Sequence, residues 1–491
     1  MFKSIASNWT LNLLQMGVML WLSRFVLQEL GPDQNGLWVA IVSYTGILSL
    51  LILGVPMASV RAIATAVAQK DEEAQRRAIA TCLGICLAFG AAAILAAGLL
   101  YTLFDASVLH GEAATALTPE ALAGARVAFA ILGAQVACGF VMRLPYGILE
   151  AHGEFLRRNV VMAGELLLRV VLTTLLLRWR PELPMLALVL VASMLFEFFG
   201  ALAMVRARHP AARFSLRSFD RASVRPILSF SVFALLLNVG SLLAFRLDGL
   251  VITAYLPPAS ATDFDFGNKF FDPLTQFLIG IGAVIMPAAT RLKTSGDAGE
   301  LREVFLRWSK IALSIVLMVG TYLYVLGPAF LGVWVGPEYI ERSGPVLRVL
   351  TLSFLFYLPV RGVALPLLMG IGKPRAPAIA LLAMGLVNLA ISLALVESQG
   401  IYGVALGTAI PNVLFALFAL VLACRELSIG PRELFTRTLA RPLLAATPLA
   451  LLLAFYEHHH PVHDWPALIL SGLVFVGLCL FAWRQWVRHP A

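Results

Sequence analysis

Five arginines lie well inside long apolar stretches of the sequence: Arg24, Arg143, Arg169, Arg246 and Arg361. A charged group surrounded by hydrocarbon is costly, so each of these arginines is a candidate functional residue. The guanidinium group stays charged, and its planar fork binds phosphate or carboxylate oxygens through two parallel hydrogen bonds. The pattern therefore indicates binding of an anionic ligand. Two alternatives stay open: pairing with carboxylates, and snorkelling of the charged end to the membrane surface.

Four carboxylates occupy comparable positions: Asp248, Asp272, Glu165 and Glu197. An acidic side chain inside a membrane segment can carry a proton or hold a sodium ion, so these residues are candidates for ion coupling. Asp248 is the strongest of the four because it lies deep in its apolar stretch. Arg246 is two residues away, a spacing at which side chains do not share a helical face. We therefore expect Arg246 and Asp248 to have separate partners.

Sequence spacing also predicts which of these charges neutralise one another. Glu165 and Arg169 are four residues apart, which favours an ion pair along one helical face. Lys269 and Asp272 are three residues apart, and we expect them to pair in the same way. Arg24 lies close to the end of its apolar stretch, so snorkelling competes with ligand binding there.

The elements that position these residues are predicted to be membrane-spanning helices. The 491 residues are 60% hydrophobic and 13% charged, whereas a soluble domain has about 25% charged residues. Apolar stretches of about 20 residues, long enough to cross a bilayer as a helix, recur along the chain. We predict an all-α, polytopic membrane protein with about fourteen spans. They cover 9–29, 36–57, 79–104, 122–149, 157–178, 184–205, 226–256, 264–288, 307–327, 344–370, 377–396, 401–424, 441–456 and 465–486.

Charge in the loops predicts the orientation. Arginine and lysine are concentrated in alternate loops, whereas loops such as 105–121 and 257–265 contain none. Basic loops face the cytoplasm, so we place both termini there. The net charge of +9 follows from these loops and does not indicate nucleic acid. The five cysteines all lie in apolar stretches, which argues against a disulfide framework or a metal site.

Two segments indicate an internal duplication. Span four ends with Arg143-Leu-Pro and span ten contains Arg361-Gly-Val-Ala-Leu-Pro, and in each a glycine and a basic exit follow. Such weak symmetry is common in transporters. We predict two pseudo-symmetric six-helix lobes and two additional helices. The boundaries are 1–205 for the N-lobe, 206–225 for a basic cytoplasmic linker, 226–424 for the C-lobe and 425–491 for the last two helices.

Several short motifs resemble one family along nearly the whole chain. The segment Arg24-Phe-Val-Leu-Gln-Glu-Leu-Gly-Pro-Asp-Gln-Asn-Gly-Leu-Trp38 is similar to its opening motif, and Phe330-Leu-Gly-Val-Trp-Val-Gly-Pro-Glu-Tyr339 to a later one. Leu53-Gly-Val-Pro, Arg246-Leu-Asp248 and Gly370-Ile-Gly372 follow the same order. The chain thus resembles the polysaccharide-transport branch of the multidrug/oligosaccharidyl-lipid/polysaccharide (MOP) exporter superfamily.

The resemblance implies two lobes around a central cavity that work by alternating access. It also implies a flippase of the bacterial inner membrane for undecaprenyl-pyrophosphate-linked repeat units of O-antigen, capsule or exopolysaccharide. Under this hypothesis, the five arginines would line the cavity and bind the pyrophosphate or an anionic glycan. H⁺ or Na⁺ are the candidate coupling ions, and polysaccharide assembly proteins are candidate partners beside membrane lipid. We expect no cofactor, and a single chain is sufficient for the pathway.

Three other functions are compatible with parts of the pattern. A lipid II flippase and a multidrug or cation antiporter would share the fold. Some drug antiporters of the superfamily use an aspartate in span one, where this chain has only Asn12, Gln15 and Arg24 as polar candidates. A membrane polymerase or ligase would need a larger outer loop than 105–121, and the sequence has no nucleotide-binding glycine-rich loop. We therefore predict a transporter and not an enzyme.

Overall fold

The protein is a polytopic all-α membrane protein. The structure, a computed structural model, describes residues 2–48, 51, 55–109, 117–210, 212, 214–229 and 239–484. This part of the chain contains helices and turns but no strand, and ten of its helical stretches are long and apolar enough to cross a membrane. Parts of predicted spans two and seven, of loop 105–121 and of the last span lie outside the described residues.

The chain divides into two compact units. The first consists of Met1–Leu242 and Thr253–Thr262, and the second of Leu243–Ile252 and Asp263–Ala491. The helices of the first unit are α1 (Phe2–Ile47), α2 (Val55–Ala68), α3 (Glu72–Phe104), α4 (Pro119–Met142), α5 (Leu144–Ala151), α6 (Phe155–Trp179), α7 (Leu183–Arg208) and α8 (Arg221–Ser229). Residues of α9 (Asp248–Tyr255) and α10 (Pro258–Asn268) are shared between the units.

The second unit continues with long helices and short connecting ones. They are α11 (Phe271–Ser295), α12 (Ala298–Trp334), α13 (Tyr339–Arg342), α14 (Gly344–Pro359), α15 (Leu365–Gly370), α16 (Arg375–Glu426), α17 (Pro431–Leu434), α18 (Ala440–His459) and α19 (Trp465–Ala482). Two π-helical segments, Val360–Ala364 and Phe435–Leu439, lie before α15 and α18.

Two glycines divide long helices into separate spans. Gly31 in α1 has φ 78° and ψ 170°, and Gly400 in α16 has φ 60° and ψ −141°. Only glycine adopts such conformations at little cost, and Pro32 directly after Gly31 further disrupts the helix. Predicted span one and the first part of span two therefore lie in α1, on either side of the break at Gly31. Predicted spans eleven and twelve lie in α16, on either side of the break at Gly400.

The break in α1 explains part of the opening motif. Thr262 of α10 donates a hydrogen bond to the carbonyl of Pro32 (2.7 Å) and accepts one from the amide of Asn35 (3.1 Å). A Cβ atom on Gly36 would lie 1.8 Å from the carbonyl oxygen of Pro258. The Gly-Leu-Trp sequence is thus placed where α10 approaches the backbone of α1 too closely for any side chain.

The surface of the helices is suited to lipid. Large apolar side chains are exposed on α3, α6 and α19, among them Leu95 (78% exposed), Leu175 and Leu473. A contiguous apolar surface of this kind is unusual on a soluble monomer, whereas in a bilayer it faces hydrocarbon. The five cysteines are unpaired thiols.

Candidate functional site

The helix that contains Arg246 and Asp248 is interrupted between them. Residues 239–245 are helical, the chain turns at Arg246 and bends at Leu247, and α9 begins at Asp248. Broken helices of membrane transporters are common places for ligand and ion sites, because backbone groups and helix ends become available there. The two charged residues predicted from sequence therefore lie on either side of a break in the helix.

Asp248 is a buried carboxylate with one unpaired oxygen. Its side chain is only 4% exposed. Oδ2 accepts a hydrogen bond from the hydroxyl of Thr408 at 3.0 Å, whereas Oδ1 is buried and has no hydrogen-bond partner. A buried, ionised oxygen without a partner is strongly disfavoured. The environment therefore favours a bound proton or a small cation at Oδ1.

A chain of buried polar side chains extends from Asp248 into α16. The amide of Asn388 donates to Thr408 Oγ1 (3.0 Å) and to the carbonyl of Ala244 (2.8 Å). Ser392 Oγ donates to Asn388 Oδ1 at 3.2 Å. We call Asp248, Asn388, Ser392 and Thr408 the polar cluster. Its donor set of carboxylate, hydroxyl and amide oxygens is the kind that hard cations prefer.

The break at Gly400 brings both halves of α16 to this cluster. Asn388 and Ser392 precede it and Thr408 follows it, so the helix must fold back on itself closely. A Cβ on Gly407 would lie 2.1 Å from Ser392 Oγ, and a Cβ on Gly403 would lie 2.6 Å from the carbonyl oxygen of Leu395. The absence of side chains at both glycines allows the hydrogen bonds of the cluster to form.

Arg246 pairs with a residue outside this cluster and is largely exposed. Its Nη2 lies 3.3 Å from Oδ2 of Asp272, with side chains 58% and 66% exposed, respectively. The expectation that Arg246 and Asp248 have separate partners is confirmed. Such an exposed pair contributes little to stability, so the guanidinium remains available to an anionic ligand.

The predicted pair of Lys269 and Asp272 is wrong. Lys269 Nζ instead lies 2.5 Å from Asp265 Oδ2. Asn268 is the last residue of α10 and Phe271 the first of α11, so the chain turns at residues 269 and 270. Lys269 is in this turn and Asp272 is in the first turn of α11, so the two do not share a helical face, and Asp272 pairs with Arg246 instead.

Arg361 lies in the π-helical segment Val360–Ala364 and is partly exposed. Its charge acts on the buried hydroxyl of Tyr357, one turn earlier. A Cβ on Gly362 would lie 3.0 Å from the carbonyl oxygen of Leu278 in α11. The segment is therefore packed tightly on one side, while Arg361 keeps some access on the other. Such π-helical turns are frequent at functional sites.

The first unit contains a balanced cluster of four charges. The predicted ion pair of Glu165 and Arg169 is present, with Nη2 and Oε1 2.6 Å apart and Glu165 buried. The carboxylate of Glu197 is close enough to interact with Glu165, Arg169 and Arg143. The Tyr146 hydroxyl faces the same carboxylate. Arg169 therefore neutralises a buried carboxylate of the same unit, and this explains its presence in the apolar stretch more directly than ligand binding does.

Arg24 is partly exposed on the first arm of α1 and forms no ion pair with any residue in the described ranges. Beside it, Phe25 stacks on Trp21 with ring centroids 5.4 Å apart, and the Arg178 guanidinium lies over the Phe25 ring, 5.9 Å from its centroid. Within the described residues, Arg24 thus has no carboxylate partner and Arg246 has an exposed one.

A histidine pair outside the spans was not anticipated. The rings of His152 and His209 stack with centroids 3.6 Å apart. Gln75 Nε2 lies 3.0 Å from His152 Nε2, and Glu154 Oε1 lies 3.3 Å from His209 Nε2. The pair therefore connects the ends of α3, α5 and α7. Sequence separation hid it, because the two histidines belong to different loops.

Burial and neighbouring charges shift the pKa values of His152 and Glu154. Burial, together with the charge of His209, lowers the pKa of His152 below its ordinary value. Burial alone would raise the pKa of Glu154, but the guanidinium of Arg157 and the His209 ring hold it below its ordinary value. The folded protein therefore favours a neutral His152 beside an ionised Glu154.

The fold is similar to the folds of solved membrane transport proteins. The fold is similar to that of the lipid II flippase MurJ in an inward closed conformation, with a TM-score of 0.71, 14% identity and coverage of 99% of this chain and 100% of that one. It is also similar to an inward-facing multidrug resistance MATE family transporter of the MOP superfamily, with a TM-score of 0.68, 18% identity and coverage of 85% and 94%.

Within that class, the sequence defines a narrower group. The chain belongs to the polysaccharide biosynthesis protein family, whose pattern matches residues 1–293. It is 24% identical over 495 residues to the uncharacterized membrane protein EpsK of Bacillus subtilis (strain 168). The aligned region covers 97% of this chain and 93% of that protein. The resemblance to the polysaccharide-transport branch, predicted from short motifs, is confirmed.

Proposed function

We propose that this protein is a flippase that translocates undecaprenyl-pyrophosphate-linked oligosaccharide across the bacterial inner membrane by alternating access. Membership of the polysaccharide biosynthesis family and the MOP fold support this proposal. The repeat unit belongs to an O-antigen, a capsule or an exopolysaccharide. Both termini face the cytoplasm, and the lobes 1–205 and 226–424 are joined by the basic linker 206–225, with 425–491 as an addition.

The observation that carries the proposal is the placement of Arg246 and Asp248 on either side of the break in the helix. Arg246 is exposed and only weakly compensated by Asp272, while Asp248 is buried on the other side of the break. A pyrophosphate keeps its negative charge at neutral pH, so its transfer requires fixed cations that replace its water. Arg24 and Arg246 bind the anion, assisted by Arg143 and Arg361.

Asp248 is the site of ion coupling in this proposal. A proton or Na⁺ at Oδ1 would satisfy the one unpaired oxygen of the polar cluster. Its release would leave a buried charge, which favours rearrangement of α9 and of the two halves of α16 around Gly400. Since Arg246 is attached to the same break, a change at Asp248 would move the anion-binding side chain.

Two alternatives share this fold. A lipid II flippase would use the same pyrophosphate chemistry, and the structural similarity to MurJ favours it as the second candidate. A cation antiporter is less compatible with the exposed arginines, because an organic cation would be repelled by them.

The test uses a strain that lacks the protein and is complemented with wild type, Arg246→Ala, Arg24→Ala or the matched control Arg76→Ala. Arg76 is an exposed arginine in an i,i+4 pair with Glu72, far along the chain from the polar cluster. The membrane fraction is blotted to confirm equal amounts. We expect loss of surface polysaccharide and accumulation of lipid-linked repeat units with Arg246→Ala and Arg24→Ala, and full rescue with Arg76→Ala.

Other outcomes separate the alternatives. Accumulated lipid II together with cell lysis would establish the lipid II flippase instead. Unchanged polysaccharide with increased drug sensitivity would establish the antiporter. Rescue by both Arg246→Ala and Arg24→Ala at normal expression would contradict the anion-binding role of these two arginines.

A further inference from the structure

The second unit contains an open apolar groove between three helices. Its volume is about 320 Å³, and it is formed by one face each of α12, α18 and α19. The residues that mark its two ends are Ile311, Pro442 and Trp483 at one end and Thr321, Leu449 and Phe475 at the other. Leu480 in the groove wall and Leu444 next to Ala445 are each 60% exposed, so the groove opens sideways toward hydrocarbon.

One end of the groove is surrounded by basic residues. Arg307 and Lys310 precede Ile311 on α12, Arg437 and Arg441 precede Pro442, and Arg484 follows Trp483. The three helices therefore bring their positive charges to the same end. No lysine or arginine lies on α12 between Ile311 and Thr321, on α18 after Arg441 or on α19, so the apolar length of these helices contributes no lysine or arginine to the groove.

Within the described residues, the charge of Arg437 is neutralised by carboxylates, whereas that of Lys310 is not. Arg437 forms two 2.7 Å contacts with the carboxylate of Glu303, and Glu433 pairs with both Arg302 and Arg437. Lys310 has no ion pair within the described residues, and the charges of Arg441, Arg437 and Arg307 all act on it. The partly buried ammonium group is thus held among like charges, which an anion would relieve.

We propose that this groove is a binding site for one anionic phospholipid of the surrounding membrane. An acyl chain lies between α12, α18 and α19, and the phosphate lies at Lys310 with Arg307 and Arg441. Basic pockets between membrane helices recognise anionic head groups in this way. The site is distinct from the broken helix at Arg246 and does not depend on the proposed function.

A resident phospholipid, rather than a soluble anion, fits the geometry. A free phosphate would use the basic end alone and leave the apolar groove unexplained. The ring of Trp483 at the basic end has the amphipathic character of residues that lie at the head-group level. The bound lipid would hold the last two helices against α12.

The test measures lipid retention by the full-length protein. The protein is purified in detergent, delipidated and examined by native mass spectrometry with phosphatidylglycerol or phosphatidylcholine. We expect one phosphatidylglycerol to be retained and phosphatidylcholine to bind at least about tenfold more weakly. The double variant Lys310→Gln/Arg441→Gln removes the head-group contacts, and Ala445→Trp fills the groove. Either change is expected to weaken phosphatidylglycerol binding about tenfold or more.

The matched control is Lys373→Gln/Arg375→Gln, which removes two charges from another basic loop of the same unit. It is expected to bind phosphatidylglycerol like wild type. Thermal unfolding in lipid-free detergent verifies that each variant is folded. A variant that fails to fold is replaced by Arg307→Gln or by Ala446→Leu, which test the same two features.

Three results would overturn the proposal. Equal retention of phosphatidylglycerol and phosphatidylcholine would show that the basic residues have no part. Inorganic phosphate that displaces the lipid fully, with no effect of Ala445→Trp, would define a simple anion site. Polyprenyl phosphate that displaces phosphatidylglycerol at a much lower concentration would assign the groove to a transported lipid instead.

Discussion

Thr408 donates its hydroxyl hydrogen to Oδ2 of Asp248 at 3.0 Å, although 160 residues separate them in sequence. This bond joins the short helix after the break at Arg246 to the second half of α16. Because the other carboxylate oxygen has no partner, the contact satisfies only half of the group. The remaining half is available to a proton or a cation.

Replacing Asp248 with asparagine removes the charge but preserves shape. We expect Asp248→Asn to lose at least about 90% of transport, because no ion can then be coupled, a loss equal to about 1.4 kcal/mol or more. Its thermal stability should be unchanged or higher, since an unpaired buried charge is removed. The measurements are surface polysaccharide in the deletion strain and thermal unfolding of purified protein.

Asp272→Asn is the control for that change, because its carboxylate is 66% exposed and pairs with Arg246. It should retain most transport. Full activity of Asp248→Asn would exclude Asp248 as the coupling group, whereas a large fall in stability would show a mainly structural role.

Gly407→Ala tests the close packing of the two halves of α16. The added Cβ would lie 2.1 Å from Ser392 Oγ and 2.9 Å from Ser392 N. Overpacking of this kind costs about 1–3 kcal/mol, so we expect lower thermal stability and impaired transport. Gly280→Ala is the matched control, because nothing lies within 4 Å of the Cβ built there. Equal stability of the two variants would contradict the close approach.

The ion pair of Glu165 and Arg169 can be tested by a double-mutant cycle. Arg169→Gln leaves the buried Glu165 without its partner, and we expect a loss of roughly 1–3 kcal/mol, reduced by the partial exposure of Arg169. Glu165→Gln/Arg169→Gln should be more stable than Arg169→Gln alone. Additive effects in thermal unfolding would show that the two side chains do not interact. Retained transport in the double variant would confirm that Arg169 serves the structure.

Acidification should destabilise the histidine pair. The folded state lowers the pKa of His152, so the unfolded chain binds a proton first as the pH falls below about 6.5. Stability is therefore fully present above that value and is lost as the pH falls through the lower pKa of the folded state. Glu154, whose pKa is also lowered, adds a further loss at still lower pH.

The measurement is the melting temperature of purified protein between about pH 7.5 and 5.5. His152→Gln should show a smaller decrease over this interval than wild type. His463→Gln, which alters an exposed histidine in another loop, should behave like wild type. An identical decrease for His152→Gln and wild type would assign the pH dependence to other groups.

Much of the fold was readable from local sequence. Hydrophobic stretches long enough to cross a membrane predict helices directly, since a bilayer allows few other structures. The ion pair of Glu165 and Arg169 was predictable because one helix determines both positions. Lys269 and Asp272 show the limit of that reasoning, because Lys269 lies in a turn and Asp272 on the helix that follows it.

The sequence by itself determined the membrane residence, the helical class, the family and the charged residues that the fold must accommodate. Only the tertiary structure showed the break between Arg246 and Asp248 and the partners of Asp248 on α16. Asn388, Ser392 and Thr408 were visible as polar residues in apolar segments, but nothing in their spacing connected them to Asp248. Periodicity reports which face of one helix is polar, whereas the hydrogen bonds between helices depend on how the chain folds back, here at Gly400.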